Sequence, residues 1–184
     1  MPLESLKLPP TLHRNLKRKT SALKRKIFND ADKIDGRCEL GFCMYIQTVP
    51  KGQFNAYSFG KPEGIRAFIQ SGITVIAATD FLFAGKNLRL SYIYQGKGLR
   101  VLVSALNKLE KKYSRDKEVY NAELIYFFLA SGPYLLIKSK RKKQFYYTTS
   151  KEVIPISYEN LRKKITTTLL RHKKQSKPNS NHHA

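Results

Sequence analysis

The chain lacks tryptophan altogether and has two methionines, two cysteines and only 13 acidic residues among its 184. Each shortage excludes something. Two cysteines, Cys38 and Cys43, are too few for a disulfide framework. Both fall in one expected strand, where an odd separation sends side chains to opposite faces. The expectation is two buried free thiols and a reducing compartment rather than secretion. No apolar run precedes a small-residue cleavage site near the amino terminus, so no signal peptide is expected. The longest greasy stretch, LIYFFLASGPYLLI (124–137), is broken by Gly132-Pro133 and is too short for a helix to cross a bilayer. Any membrane contact is expected to be peripheral. Histidine is scarce as well: His13, His172, His182 and His183 stand at no zinc spacing from either cysteine, so no Cys/His metal site is expected.

Against the 13 acids stand 35 lysines and arginines, giving a formal net charge of +22 and a pI near 10.1. Self-repulsion on this scale opposes compaction and calls for a polyanionic partner: nucleic acid, anionic lipid or an acidic protein. Hydrophobic residues at 41 % and 21 Tyr and Phe still supply enough apolar area for one ordinary core. The chain is therefore expected to fold as one domain with tails, and not to be disordered by composition.

The cations come in runs. LHRNLKRKTSALKRK (12–26) holds Arg14, Lys17, Arg18, Lys19, Lys24, Arg25 and Lys26 with no acid. Within it Leu12, Leu16, Leu23 and Ile27 fall on one side of a helix. This stripe is expected to anchor the segment to something apolar, be it the body of the protein, another copy or a membrane, while the cations meet a polyanion. The second run is Lys138, Lys140, Arg141, Lys142 and Lys143, at the tip of an expected hairpin between PYLLIK and QFYYTTS. The third lies in the last helix and tail: Arg162, Lys163, Lys164, Arg171, Lys173, Lys174 and Lys177. Tyr134, Phe145, Tyr146 and Tyr147 flank the second run, the composition from which base-stacking platforms are built; strand alternation sends Phe145 and Tyr147 one way and Tyr146 the other. Clusters such as KRK and KRKK also match nuclear import signals.

Three zones follow: a basic amphipathic arm with an acidic turn over 1–36, a core over 37–171 and a polar basic tail over 172–184. Within the core, CELGFCMYIQTV (38–49) is expected as a strand and 50–62 as a loop. PEGIRAFIQSG (62–72) is expected as a short helix with Pro62 in its first turn and Gly72 at its end. ITVIAATDFLF (73–83) is of helix or strand type, strand being favoured, and LRLSYIYQ (88–95) alternates as a strand. A helix is expected over about 99–113. VYNAELIYFFLA (119–130) stays open between helix and strand. Ser157 is expected to cap a final helix carrying Leu161, Ile165 and Leu169. Helices and mainly antiparallel strands without βαβ alternation indicate an α+β fold.

Catalytic and ligand motifs fail on spacing. AGKN (84–87) lacks the glycine five residues before the phosphate-loop Gly, where Asp80 stands, and the hydroxyl after the lysine, where Asn87 stands. GKG (96–98) is read as turn glycines. DADKID (30–35) would need an oxygen ligand, Gly and Glu where a calcium loop meets Ile34, Asp35 and Gly41. It reads as a turn that ends the arm. No enzymatic activity and no cofactor are expected. Were the chain a nuclease, Asp80 and Glu123 would be the carboxylates to substitute first.

The layout resembles the matrix proteins of negative-strand RNA viruses, nearest in size and charge to the small basic matrix proteins of plant-infecting rhabdoviruses of the cytorhabdovirus and dichorhavirus kind. The likeness rests on the basic amino-terminal arm, the strand GFCMYIQTV, the segment GIRAFIQSG expected as a helix, and further strands with a carboxy-terminal helix. It covers the layout of most of the chain and carries over no functional residue. The Pro-Pro-x-Tyr and Pro-Thr-Ala-Pro motifs of animal relatives are absent, and LPPTL (8–12) matches neither. The resemblance implies a structural virion protein that condenses RNA or nucleocapsid, self-associates as a homo-oligomer and meets an anionic membrane or a viral glycoprotein tail. It places the protein in the virion, at the membrane periphery and in host cytoplasm or nucleus. The alternative is a dedicated RNA-binding protein, ribosomal or silencing-suppressor in type, with no membrane role.

Overall fold

The computed structural model describes residues 3–28, 38–49, 62–85, 87–127 and 134–175. Among these, three helices and nine strands form one α+β domain. The elements are β1 (Leu3–Glu4), α1 (Pro10–Phe28), β2 (Cys38–Val49), β3 (Gly64–Ser71), β4 (Thr74–Ala84), β5 (Asn87–Tyr94), α2 (Lys97–Tyr113), β6 (Tyr120–Phe127), β7 (Tyr134–Lys138), β8 (Lys143–Thr148), β9 (Val153–Ile156) and α3 (Tyr158–Gln175).

One sheet runs β5-β4-β3-β2-β6-β7-β8-β9. All neighbours along it are antiparallel except β2 and β6, which pair in parallel from Tyr45↔Glu123 to Val49↔Phe127. β1 also pairs with β6 in parallel, Leu3 opposite Tyr120. It fills the wedge where β2 leaves β6: Leu6 N–H donates to the Cys43 carbonyl at 2.9 Å, and Cys43 N–H donates to Ser5 Oγ at 3.0 Å. The amino terminus is thus woven into the middle of the sheet before the first helix starts. Pro10 opens that helix at the position where a missing N–H costs nothing, and the Pro9 carbonyl accepts from His13 N–H at 2.9 Å.

Register fixes which helix lies on which face. Cys43 opposes Ala67, Tyr45 opposes Ile65 and Glu123, and Gln47 opposes Ile125, so these residues share one face. On it α1 sinks Leu16 and Leu23 among Cys43, Ile65, Ala67, Ile69 and Phe81. On the same face α3 buries Leu161 and Ile165 against Ile125, Tyr134 and Leu136. The other face carries α2, whose Leu99, Leu102, Ala105 and Leu109 cover Met44, Phe68, Leu124, Leu135 and Tyr146.

Two expectations are corrected. Residues 62–72 form no helix: 64–71 is strand β3. It lies inside a sheet covered on both faces, so its alternation is masked by continuous burial, and Pro62 and Gly72 bracket a strand as well as a helix. Gly64 is there because a Cβ would stand 2.3 Å from the Phe81 carbonyl oxygen of the neighbouring strand. The odd separation of Cys38 and Cys43 also fails to assign opposite faces. Gly41 and Phe42 together face one residue of β3, so a register shift between Leu40 and Cys43 resets the alternation. Cys43 is a buried free thiol, its pKa pushed up to about 12 by burial; the side chain of Cys38 lies outside the described residues.

Other expectations agree with the structure. Residues 74–84 and 87–94 are strands, 97–113 is a helix, and the open segment resolves as strand over 120–127. β7 and β8 pair from Tyr134↔Tyr147 to Lys138↔Lys143. Ser157 Oγ accepts from Asn160 N–H at 3.2 Å and caps α3, which runs on to Gln175, past the expected boundary at 171. The acidic turn, the 50–61 loop, the Gly132-Pro133 break and residues 176–184 of the tail lie outside the described residues. Among the described residues no helix is long and apolar enough to cross a membrane.

Candidate polyanion interface

The first and third basic runs are brought to one face of the sheet. The α1 stripe turns Leu16 and Leu23 fully inward and Leu12 partly, which leaves Arg14, Lys17 and Arg18 exposed and Lys19 half-exposed. Arg18 Nη2 donates to Asn15 Oδ1 at 3.3 Å within the helix. No acid occurs anywhere in α1. In α3, burial of Leu161 and Ile165 leaves Arg162, Lys163, Lys164 and Arg171 exposed. Its one acid, Glu159, sits in the first turn, where the helix dipole favours it. The side chains of Lys24, Arg25, Lys26, Ile27, Lys173 and Lys174 lie outside the described residues, although their backbone is helical.

The hairpin run is partly spent internally. Lys138 pairs with the buried carboxylate of Glu123, which also accepts from Gln47 Nε2. Lys142 Nζ lies 3.4 Å from Asp116 Oδ2. That contact raises the Lys142 pKa, while the Tyr120 hydroxyl, with Lys142 assisting, holds the Asp116 carboxyl below its ordinary value. Lys140, Arg141 and Lys143 are exposed with no ion pair among the described residues. Of five cations at this hairpin, three are therefore available.

The aromatic rings beside the run are occupied with packing. Tyr146 and Tyr134 are each 1 % exposed, on opposite faces of the sheet. Phe145 and Tyr147 pack under α3, and Lys164 Nζ lies 3.5 Å from the centroid of the Tyr147 ring. That cation–π contact orients the lysine along the helix surface. No base can stack on Tyr134, Phe145 or Tyr147 without displacing α3, or on Tyr146 without displacing α2.

The two carboxylates singled out for a nuclease are apart and engaged. Asp80 takes a two-pronged ion pair from Arg66, Nε to Oδ1 at 2.6 Å and Nη2 to Oδ2 at 2.7 Å, with both side chains buried. The same guanidinium donates to the Tyr126 hydroxyl and lies 3.9 Å from the Tyr94 ring centroid. Burial works against its charge, but the hydrogen bonds and attraction of Asp80 outweigh this and raise the Arg66 pKa. Burial likewise drives the Tyr126 hydroxyl pKa upward. Glu123 lies on the opposite face, beneath Lys138. Among the described residues no three His, Cys, Asp or Glu side chains cluster to hold a metal.

A further cationic surface is not evident from runs of charge in the sequence. Lys97, Arg100, Lys108, Lys111 and Lys112 all emerge from α2 with Glu110 as the sole acid, on the face away from α1 and α3. Their spacing within an apolar helical pattern hid them, because no three are consecutive. Lys108 Nζ donates to the Lys151 carbonyl at 2.6 Å and ties α2 to the β8–β9 turn.

No family model, curated protein or solved structure matches the chain.

Proposed function

We propose that the protein is a non-enzymatic, matrix-type structural protein that binds RNA or ribonucleoprotein, self-associates and meets an anionic membrane surface. The observation that carries this reading is the pair of helices on one face of the sheet, each anchored by buried leucine or isoleucine and each directing outward cations that have no ion pair among the described residues. Cations held on two rigid helices match a phosphate backbone better than a flexible tail does, because less freedom is lost on binding. The interface would include Arg14, Lys17 and Arg18 from α1 and Arg162, Lys163 and Arg171 from α3.

The test is RNA affinity against salt. Neutralising ~6 phosphates of a single strand lowers affinity by roughly 300-fold when salt rises fourfold. Replacing Arg14, Lys17, Arg18, Arg162 and Lys163 by glutamate should flatten that slope and abolish binding at physiological salt. A slope near zero in the native protein, or an unchanged slope in the variant, overturns the proposal. A dedicated RNA-binding protein without a membrane role is the second reading. It is favoured by the burial of the α1 leucines in the sheet, which removes the anchor the arm would have offered to lipid. Flotation with anionic vesicles separates the two.

A further inference from the structure

We infer that the surface beside α2, with the β3–β4 hairpin tip, receives an anionic lipid of a membrane. This rests on the membrane half of the reading above and moves its contact from α1 to the opposite face of the sheet.

Two cavities of about 380 Å³ and 220 Å³ adjoin there and share Val75, Val103 and Asn107. The larger lies within the usual volume range for small-ligand sites. Its floor is apolar, Val75, Leu99 and Val103, and its wall carries Arg100, Ser104, Lys108 and Lys111 with no acid. The smaller lies beside it among Leu3, Phe42, Phe68 and Leu106, with Gln70, Asn107 and the one acid, Glu110, as its polar lining. Cations thus rim one cavity and mainly apolar side chains line the one beside it, the complement of an anionic headgroup joined to an acyl chain.

The second observation is Ile73. It is 100 % exposed, at the tip of the turn that Gly72 makes with φ 57°, two residues before Val75. A fully exposed β-branched side chain at a hairpin tip gains free energy only where it leaves water. An RNA backbone offers it nothing, whereas the acyl boundary of a bilayer does. An acidic peptide could pair with Arg100 and Lys111 but would leave Ile73 and the smaller cavity unused.

The experiment measures partition of the full chain to vesicles of phosphatidylcholine containing about a third phosphatidylserine. Native protein should bind these and not pure phosphatidylcholine. Ile73→Asp should weaken partition by ~10-fold or more. Arg100→Gln with Lys111→Gln should weaken it by roughly 30-fold, at about a factor of five per surface cation. All these positions are exposed and RNA affinity reports folding, so Ile73→Asp should leave it unchanged. Val103→Trp, which fills the smaller cavity, should lower partition while the surface charge stays as it was. Vesicle binding insensitive to these changes but lost with the α1 and α3 charge reversals overturns the inference and leaves the membrane reading standing. No vesicle binding by the native protein overturns both. Equal competition by a poly-glutamate peptide and by serine-headgroup lipid, with no effect of Ile73→Asp, identifies an acidic protein partner instead and also overturns it.

Discussion

Among the described residues each face of the sheet buries one carboxylate, and the two are held in different ways. On the α2 face Asp80 is gripped by both prongs of a buried arginine that is itself enclosed by Tyr94 and Tyr126. On the α1 and α3 face Glu123 is paired with a lysine whose side chain is 37 % exposed, and accepts a hydrogen bond from the Gln47 amide. The first arrangement is closed and serves the core. The second joins the core to the base of the basic hairpin, so a charge that contributes to the surface potential is also part of the interior. Burial of an ion pair says little about its role until the exposure of each partner is known.

This contrast breaks most sharply at Arg66. Arg66→Met leaves Asp80 buried without a counter-charge and should cost about 3–5 kcal/mol, read as a fall in the urea midpoint with unchanged slope. A loss below about 1 kcal/mol would mean that water already reaches the pair. Leu16→Ala, on the other face, should cost about 3 kcal/mol by opening a cavity beneath α1. A neutral result there would show α1 undocked in solution and would return its leucines to other partners. Lys138→Met should cost a more modest 1–2 kcal/mol, since its partner Glu123 keeps the Gln47 hydrogen bond. If Lys138→Met proves as damaging as Arg66→Met, the two faces are equivalent after all.

The smallest effect concerns Asp116 beside Lys142. Its carboxyl is held below the usual 3.8 by the Tyr120 hydroxyl and then by the Glu118 amide and Lys142. A depressed carboxylate adds stability above its unfolded pKa and loses it as pH falls through the folded value. Asp116→Asn should therefore lower the melting temperature slightly at neutral pH and not in strong acid. An NMR titration placing the Asp116 midpoint above 3.8 would refute the assignment.

Local composition made much of this legible. The 138–143 hairpin, α2, α3 and the Ser157 cap follow from alternation, helical stripes and a serine at the right offset, because each depends on neighbours within a few residues. β3 defeats local pattern because strand and helix both tolerate its Pro and Gly brackets, and burial on two faces erases its period. The Cys38–Cys43 parity failed on a bulge, which depends on which strand lies alongside. Within the candidate interface the cations themselves are evident. That Lys138 is committed to Glu123, that the aromatic rings are covered by α3 and, for Tyr146, by α2, and that α2 carries a second positive surface are not.

By itself the sequence determined the charge, the scarcity of cysteine, the α+β class and the leucine spacing of α1, all properties of composition and near neighbours. The tertiary structure alone decided that α1 and α3 share a face, that Leu16 and Leu23 of α1 are buried against the sheet, and that Ile73 is left fully exposed at a hairpin tip. Those facts turn on pairings between distant residues, Tyr45 with Glu123 and Gln47 with Ile125, which join the two halves of the sheet. No local pattern encodes them, because which strands become neighbours is settled by the packing of the whole chain.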